Sequence, residues 1–433
     1  MGKLFIDEKG PQENFKISSP FNVKEKIAYG TDIMHGYIAN AWYISKNHDK
    51  ITAEFVDLEA SYLKTLQKPD TELKGSVILK GRFRYGVASL RTKDIEFYTL
   101  LFELLIKYKS MNLLFSVNKM SIIFNSRLLE WIYLLEEKRM IKNAYLTKYT
   151  LTKYLDTEAS EEVIKSILDL SCNSKDLLSN IQKDMQNIVD LNKKNKRMEG
   201  QIAEYKQIIS IIKANKHFLV DSPEKITFDW SKVLYAVDLW VTDNELNKKI
   251  NSSNIDVYLD KGIKKSPFEN LNFNSIHENI DSKNSVGIRI TDLLVAIAGN
   301  YIKSLHQRSQ YDRDEPEKIQ RLSEQFFALS KNQFNLLKLM NRFFFSSGQY
   351  SIVTDTFFDD EIIFESFLNY IDKFATFKEY QMLTDKVHVQ EQFKLTVFYF
   401  HDRWSKAIHN DALVKKIFGS TKNAVELGVL RPL

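Results

Sequence analysis

KLFIDEKG, residues 3–10 of the chain, joins a short apolar run to two acids and a glycine. The run at residues 3–6 predicts a buried strand, which the acidic turn ends at Asp7. A second segment, VGIRITDLL at residues 286–294, also places a carboxylate, Asp292, at the edge of an apolar run. If the fold brings these two carboxylates together, they form a cation site rather than two ordinary surface acids.

The composition indicates an ordinary globular protein. The 433 residues are 44% hydrophobic and 27% charged, which allows two or three domains with a sizeable core. Only 14 glycines and 7 prolines are present, and their scarcity favours helices over tight turns. We therefore expect a mixed, helix-rich α/β fold.

Charge and cysteine content limit the classes of partner and site. The net charge of +5 and the pI of about 8.8 are compatible with a nucleic-acid partner without requiring one. Cys172 is the only cysteine, so an internal disulfide and a zinc site built on several thiolates are excluded, and a cytoplasmic location is predicted. Because the chain has no apolar run of about 18 residues and no signal-peptide pattern, we expect no membrane partner.

Periodicity predicts the elements and three domains. Apolar or alternating runs predict strands at residues 3–6, 112–117 and 255–260, with further β-prone pieces at 27–44 and 51–58. Within these pieces, residues 37–44 suit either a strand or a helix. Helical spacing occurs at 93–107 and 291–304, with 286–290 as a strand or an entry turn. The predicted domains are a core at 1–119 plus 250–307, a helical insertion at 120–249 and a C-terminal helical domain at 308–433.

The insertion carries a heptad-like apolar stripe, which predicts one long amphipathic helix. Its members are Ile181, Met185, Ile188, Met198, Ile202, Tyr205, Ile209 and Ile212. The stripe either packs on its own protein or forms a homodimer. We favour the first alternative, because Gly200 and the polar run at 192–197 interrupt the seam.

Four carboxylates occupy predicted strand ends and segment starts. Asp7 and Asp260 end strands. Glu72 begins a segment after the early strands, and Asp292 opens a helix. Oxygen ligands of this kind suit two Mg²⁺ ions about 3.5–4 Å apart, which activate water and stabilise a leaving oxygen. Taken singly, each acid is more often a helix cap or a surface group.

These segments resemble those of the RNase H-like family known as domain of unknown function thirty-eight hundred. Residues 6–10, IDEKG, match its Asp-Glu-Ser-Gly strand end, with Lys9 in place of serine. Residues 72–76, ELKGS, match its Glu-Leu-Lys-Gly-Ser-like segment, and Asp260 matches the end of a later strand. Residues 281–293, DSKNSVGIRITDL, match its closing segment, with Arg289 for Gln and Thr291 for Ala. The resemblance spans residues 1–119 and 250–305.

The resemblance implies an RNase H-like sheet with acids on the first strand, first helix, fourth strand and a late helix. It implies a nuclease, in a mobile or anti-phage system, that cleaves DNA or RNA with Mg²⁺ or Mn²⁺. The implied metal ligands are Asp7, Glu72, Asp260 and Asp292. Lys74 is expected to bind phosphate as a point charge, and Lys119 is a weaker candidate for that role. Ser282 is expected to support Asp281 or Asp292.

Two other functions stay open. The core would be a non-catalytic scaffold if the long helix or the C-terminal helices dock a protein partner, a reading that Lys9 beside the acids favours. Alternatively, Arg403 and His409 have the Arg-x-x-x-x-x-His spacing of the metal-independent HEPN ribonucleases, although Trp404 stands where those proteins have a polar residue.

Overall fold

The structure, a computed structural model of the chain, describes residues 1–9, 36–67, 71–226, 230–311, 319–346, 350–353, 359–427 and 429. The fold is mixed α/β and rich in helices, as predicted. The strands are β1 (Gly2–Lys9), β2 (Gly36–Ile44), β3 (Arg84–Val87), β4 (Met111–Asn118), β5 (Ile255–Asp260), β6 (Ser275–Ile280), β7 (Ser309–Tyr311), β8 (Gln320–Leu322) and β9 (Tyr350–Val353). The helices are α1 (His48–Thr65), α2 (Gly75–Leu79), α3 (Thr92–Lys107), α4 (Lys119–Glu137), α5 (Ala144–Thr157), α6 (Glu161–Leu168), α7 (Ser174–Leu191), α8 (Glu199–Asn215), α9 (Ser231–Leu246), α10 (Val286–Arg308), α11 (Lys331–Phe344), α12 (Asp359–Asp372), α13 (Phe377–Tyr380), α14 (Asp385–Phe418) and α15 (Thr421–Glu426).

The central sheet has the strand order β6-β5-β1-β2-β4-β9 within the described residues. β1 runs parallel to β5 and antiparallel to β2, and β2 runs antiparallel to β4. β6 is parallel to β5, and β9 is parallel to β4. β1 is thus an internal strand, which explains why its apolar run is continuous rather than alternating. The carboxyl ends of β1, β5 and β6 lie at one edge of the sheet.

Alternate residues of β1 face two helical layers. Leu4 and Ile6 pack with Trp240 of α9 on one face of the sheet. Phe5 packs on the other face, where α10 lies so close that a Cβ on Gly287 would be 2.2 Å from the Phe5 ring. We call this second side the α10 face. Since side chains alternate along a strand, Asp7 and Lys9 also lie on the α10 face.

Most of the predicted elements are confirmed, but the types or limits of some differ. β1 runs on to Lys9 instead of ending at an acidic turn at Asp7. The helix at 93–107 is α3, the strands at 112–117 and 255–260 are β4 and β5, and residues 37–44 belong to β2. Residues 51–58 lie in α1 instead of a strand, because Ile51 and Phe55 continue a buried stripe at helical spacing. Residues 286–290 are the first turn of α10, which is capped by Ser285. Residues 27–35 lie outside the described residues.

The insertion has a core of its own, and the prediction of one long helix in it is wrong. The apolar stripe is divided between α7 and α8, and both halves are buried in the same cluster. Asn192 and Asn195 separate the helices by bonding to the backbone. The Asn192 amide donates to Ile188 O at 2.9 Å, and Asn195 Oδ1 accepts from Arg197 N–H at 3.2 Å. The stripe is therefore buried inside this chain.

Packing differs from the predicted domain limits in three places. β9 lies in the predicted C-terminal helical domain but pairs with β4 in the central sheet. α9, which was assigned to the insertion, packs on the sheet. Aromatic side chains of α11 and α12 belong to the same core as the α10 face, so the C-terminal helices close over the sheet. α14 has 34 residues and, at 1.5 Å per residue, spans about 50 Å. No helix in the described ranges combines the length and apolar character that a membrane span requires.

Candidate metal centre

Two of the predicted acids lie side by side on neighbouring parallel strands. The register of β1 with β5 runs up to Ile6 beside Leu259. Asp7 and Asp260 are the next residue on each strand, and alternation places both on the α10 face with Phe5. The two carboxyl groups lie close enough for each to act on the pKa of the other. Two ionised carboxylates at close range repel each other, which favours a proton on one of them.

Burial explains why that proton is retained. Asp7 is only 5% exposed. Burial raises the pKa of Asp7 well above its usual value, and the charges of Asp260 and Asp292 raise it further. The N–H of Glu8 donates to Asp7 Oδ1 at 2.7 Å and opposes this shift without cancelling it. Burial likewise raises the pKa of Asp260. The pair is therefore a proton-holding site that an opposing cation would convert to two carboxylates.

Asp292 joins this pair from α10. Gly75 N–H donates to Asp292 Oδ2 at 2.8 Å. This contact requires glycine, because a Cβ at position 75 would lie 2.3 Å from the Cβ of Ala296. Burial raises the pKa of Asp292, and the Gly75 N–H together with the charges of Lys9 and Lys74 opposes the rise. Three of the four predicted acids thus act on one another electrostatically.

Glu72 is linked to the cluster less directly. Ser282 Oγ donates to Glu72 Oε1, so Ser282 supports this acid and not Asp281 or Asp292 as expected. Lys74 Nζ lies 3.7 Å from Glu72 Oε2, and its charge also acts on Asp260 and Asp292. Lys74 therefore connects Glu72 with the aspartates.

The three lysines singled out in the sequence, Lys74, Lys9 and Lys119, differ in their exposure to solvent. The Lys74 side chain is 51% exposed and can meet a ligand from solvent. Burial lowers the pKa of Lys9 to about 8, against the opposing charges of Asp292 and Asp7. Lys119 is buried at the start of α4, so it does not present a charge at the surface.

Sequence reasoning missed two residues beside the acids. Glu59 of α1 pairs with Arg289 Nη2 at 3.1 Å, while Arg289 Nη1 donates to Ser282 O at 3.0 Å. The signal for Glu59 was a carboxylate four residues after Phe55, on the buried stripe of α1. Asn40 of β2 lies opposite Asp7 in the strand register and is fully buried. Its signal was an amide within a β-prone apolar run.

The residues present suit a hard divalent cation. Aspartate carboxylates and the buried Asn40 amide lie on one face of the sheet, and oxygen donors are what Mg²⁺ and Mn²⁺ prefer. In the part of the chain that the structure describes, no three His, Cys, Asp or Glu side chains already converge as a coordination shell. The contacts agree with this, since burial favours the protonated form of Asp7 and Asp292 accepts from the Gly75 N–H. Cation binding must release that proton.

Arg403 and His409, the alternative pair, lie on α14. Arg403 Nη1 and Nη2 are 3.1 Å and 3.5 Å from Glu361 and Glu365, so its guanidinium already holds two carboxylates. His409 is exposed. Six residues along a helix correspond to about 120° around its axis, so the two side chains leave α14 in different directions.

No family model, curated protein or solved structure matches this chain.

Proposed function

We propose that the protein is a divalent-cation-dependent nuclease that hydrolyses phosphodiester bonds of DNA or RNA. The observation that carries this proposal is the meeting of three acids: Asp7 and Asp260 follow paired residues of parallel β1 and β5, and Asp292 lies on α10, which packs on the same face. Burying several carboxylates together raises the free energy of the fold, and a cation offsets that effect. Cation binding is a functional role that explains why these three acids occur together at one edge of the sheet.

The order of the acids supports an RNase H-like core. Asp7 lies on the first strand, and Asp260 lies on the fourth strand of the central sheet in chain order, since β3 is not part of that sheet. Asp292 lies on the late helix α10, as expected, whereas Glu72 lies in the segment between α1 and α2 and not on the first helix. We propose that β1, β2, β4, β5 and β6, with α10, form this core.

Each residue has a distinct part in the proposed reaction. Asp7, Asp260 and Asp292 hold Mg²⁺ or Mn²⁺, which lowers the pKa of a bound water and polarises the phosphoryl group. Glu72, fixed by Ser282, completes the acidic rim and holds Lys74 in place. Lys74, half exposed beside these acids, binds a phosphate of the substrate. We further propose a cytoplasmic setting in defence against phages or in a mobile element, as the family resemblance implies.

The test is cleavage of labelled single- and double-stranded DNA and RNA in Mg²⁺ or Mn²⁺. We expect wild-type protein to cut at least one substrate and chelation to stop it. Asp7→Asn with Asp292→Asn should lose the activity, while Asp57→Asn, at an exposed position of α1, should keep it. Equal cleavage by wild type and the double variant would overturn the assignment. Cation binding without cleavage of any substrate would favour the non-catalytic scaffold.

A further inference from the structure

Asn40 occupies an unusual position for an amide. It lies within β2, an internal strand of the sheet, directly opposite Asp7 on β1 and Leu114 on β4. Directly opposed residues project from the same face, with Cβ atoms about 5 Å apart. Asn40 therefore lies on the α10 face beside Asp7, and no part of it is exposed to solvent.

Its side chain has no hydrogen-bond partner. Neither Oδ1 nor Nδ2 is bonded to a protein group, although both are buried. Asparagine is also depleted in strands, where β-branched and aromatic residues are favoured. A leucine would fill similar volume and leave no polar atom unsatisfied. Neither strand formation nor packing accounts for an amide at this position.

A second buried polar atom lies near the same acids. The hydroxyl of Tyr98 on α3 also has no partner, and Tyr98 is completely buried. Burial raises the pKa of Tyr98, and the charge of Asp292 raises it further, so this ring is near that acid. Unsatisfied polar atoms therefore occur beside the acids on β2 and α3.

We propose that Asn40 is a further member of the cation site, with its amide oxygen as an oxygen ligand of the cation that Asp7 and Asp260 hold. Its Nδ2 then donates to the Asp7 carboxylate, which lies directly opposite it. Oδ1 and Nδ2 of Asn40 thus both gain partners when the cation binds. This inference rests on the proposed function, since it assumes that the aspartates bind a cation.

The experiment measures Mn²⁺ binding by calorimetry at pH 7 and thermal unfolding with and without Mn²⁺, on the full chain. Asn40→Leu should unfold at the same or a higher temperature than wild type without divalent ions, because a buried unsatisfied amide is removed. It should bind Mn²⁺ about 10–100-fold more weakly. Asn40→Ala is the smaller substitution if leucine prevents folding, and the same loss of affinity is expected for it.

Asn112→Leu is the matched control. Asn112 is buried on the same face, on the neighbouring strand β4, but lies opposite Trp42 instead of an acid. This variant should keep wild-type affinity for Mn²⁺. Wild-type affinity in both Asn40 variants would overturn the role of Asn40 while leaving the proposed function intact. A wild-type protein that neither binds Mn²⁺ nor cleaves nucleic acid would overturn the proposed function itself.

Discussion

Asp7 holds a proton because of where its carboxyl group lies. Its folded pKa is raised above the ordinary value of 3.8. Between these two values the folded chain binds more protons than the unfolded chain, so stability falls as pH rises through that window. Without divalent cations, the acidic cluster therefore destabilises the fold at neutral pH.

Asp7→Asn removes this effect. At pH 7 without divalent cations we expect the variant to be more stable than wild type, because it removes a buried carboxyl group whose pKa burial raises. The difference should shrink below about pH 3, where Asp7 is protonated in both folded and unfolded wild-type chains. Urea denaturation at the two pH values measures it. A variant less stable than wild type at pH 7 would contradict the account.

Lys9 adds a positive charge that competes with a cation. Its pKa of about 8 means that the side chain is mainly charged at pH 7 and mainly neutral at pH 9. Lys9→Ser should therefore bind Mg²⁺ more tightly at pH 7, by about tenfold, with a smaller gain at pH 9. Calorimetric titration measures both. Lys46→Ser, at an exposed position just after the C-terminal end of β2, should leave the Mg²⁺ affinity unchanged at both pH values.

At the scale of elements, the contact of α2 with α10 fixes Asp292. Gly75→Ala should cost about 1–3 kcal/mol of stability, because the new Cβ forces the two helices apart. The variant should also bind Mn²⁺ more weakly, since Asp292 loses the Gly75 N–H. Urea denaturation and calorimetry provide the two measurements.

Gly200→Ala is the control for helical glycine. Nothing lies within 4 Å of a Cβ placed there, in α8. It should gain up to about 1 kcal/mol, because alanine is the better helix former. If Gly75→Ala and Gly200→Ala change the stability by similar amounts, the close packing of α2 on α10 is not the cause of the Gly75→Ala effect.

Local patterns predicted elements well where one periodicity dominated. α3 and β5 followed from clear helical spacing and clear alternation. The stripe across α7 and α8 misled, because its spacing continued through a break that Asn192 and Asn195 create by bonding to the backbone. α10 began earlier than expected, since the Ser285 cap stabilises a first turn whose apolar residues also suit a strand.

At the scale of the whole molecule, α14 and α15 join the C-terminal helices to the insertion. Glu136 at the end of α4 is buried and lies 2.8 Å from Lys415, and it accepts from Thr421 N–H at 3.2 Å. Trp404 adds edge-on ring contacts with Tyr145 and Tyr149 of α5. These contacts tie the long helix to the insertion.

Glu136→Ala should loosen this junction. We expect a loss of about 1–3 kcal/mol, because Thr421 N–H loses a buried acceptor and Lys415 loses one of its two carboxylates. Hydrogen exchange should quicken in α4 and the end of α14, with β1 and β5 unchanged. Lys394→Ala removes an exposed pair with Glu391 on α14 and should have little effect. Faster exchange throughout the sheet would contradict a local role.

The sequence by itself determined the mixed, helix-rich class, the buried apolar strand that contains residues 3–6 and the acids near segment edges, because these depend on composition and local periodicity. Only the tertiary structure decided that β1 pairs in parallel with β5, so that Asp7 meets Asp260, and that Asn40 lies opposite Asp7. It also decided that Arg289 holds Glu59. Strand register and long-range pairing depend on how segments that are far apart in the sequence are buried together. A short stretch of sequence therefore does not determine them.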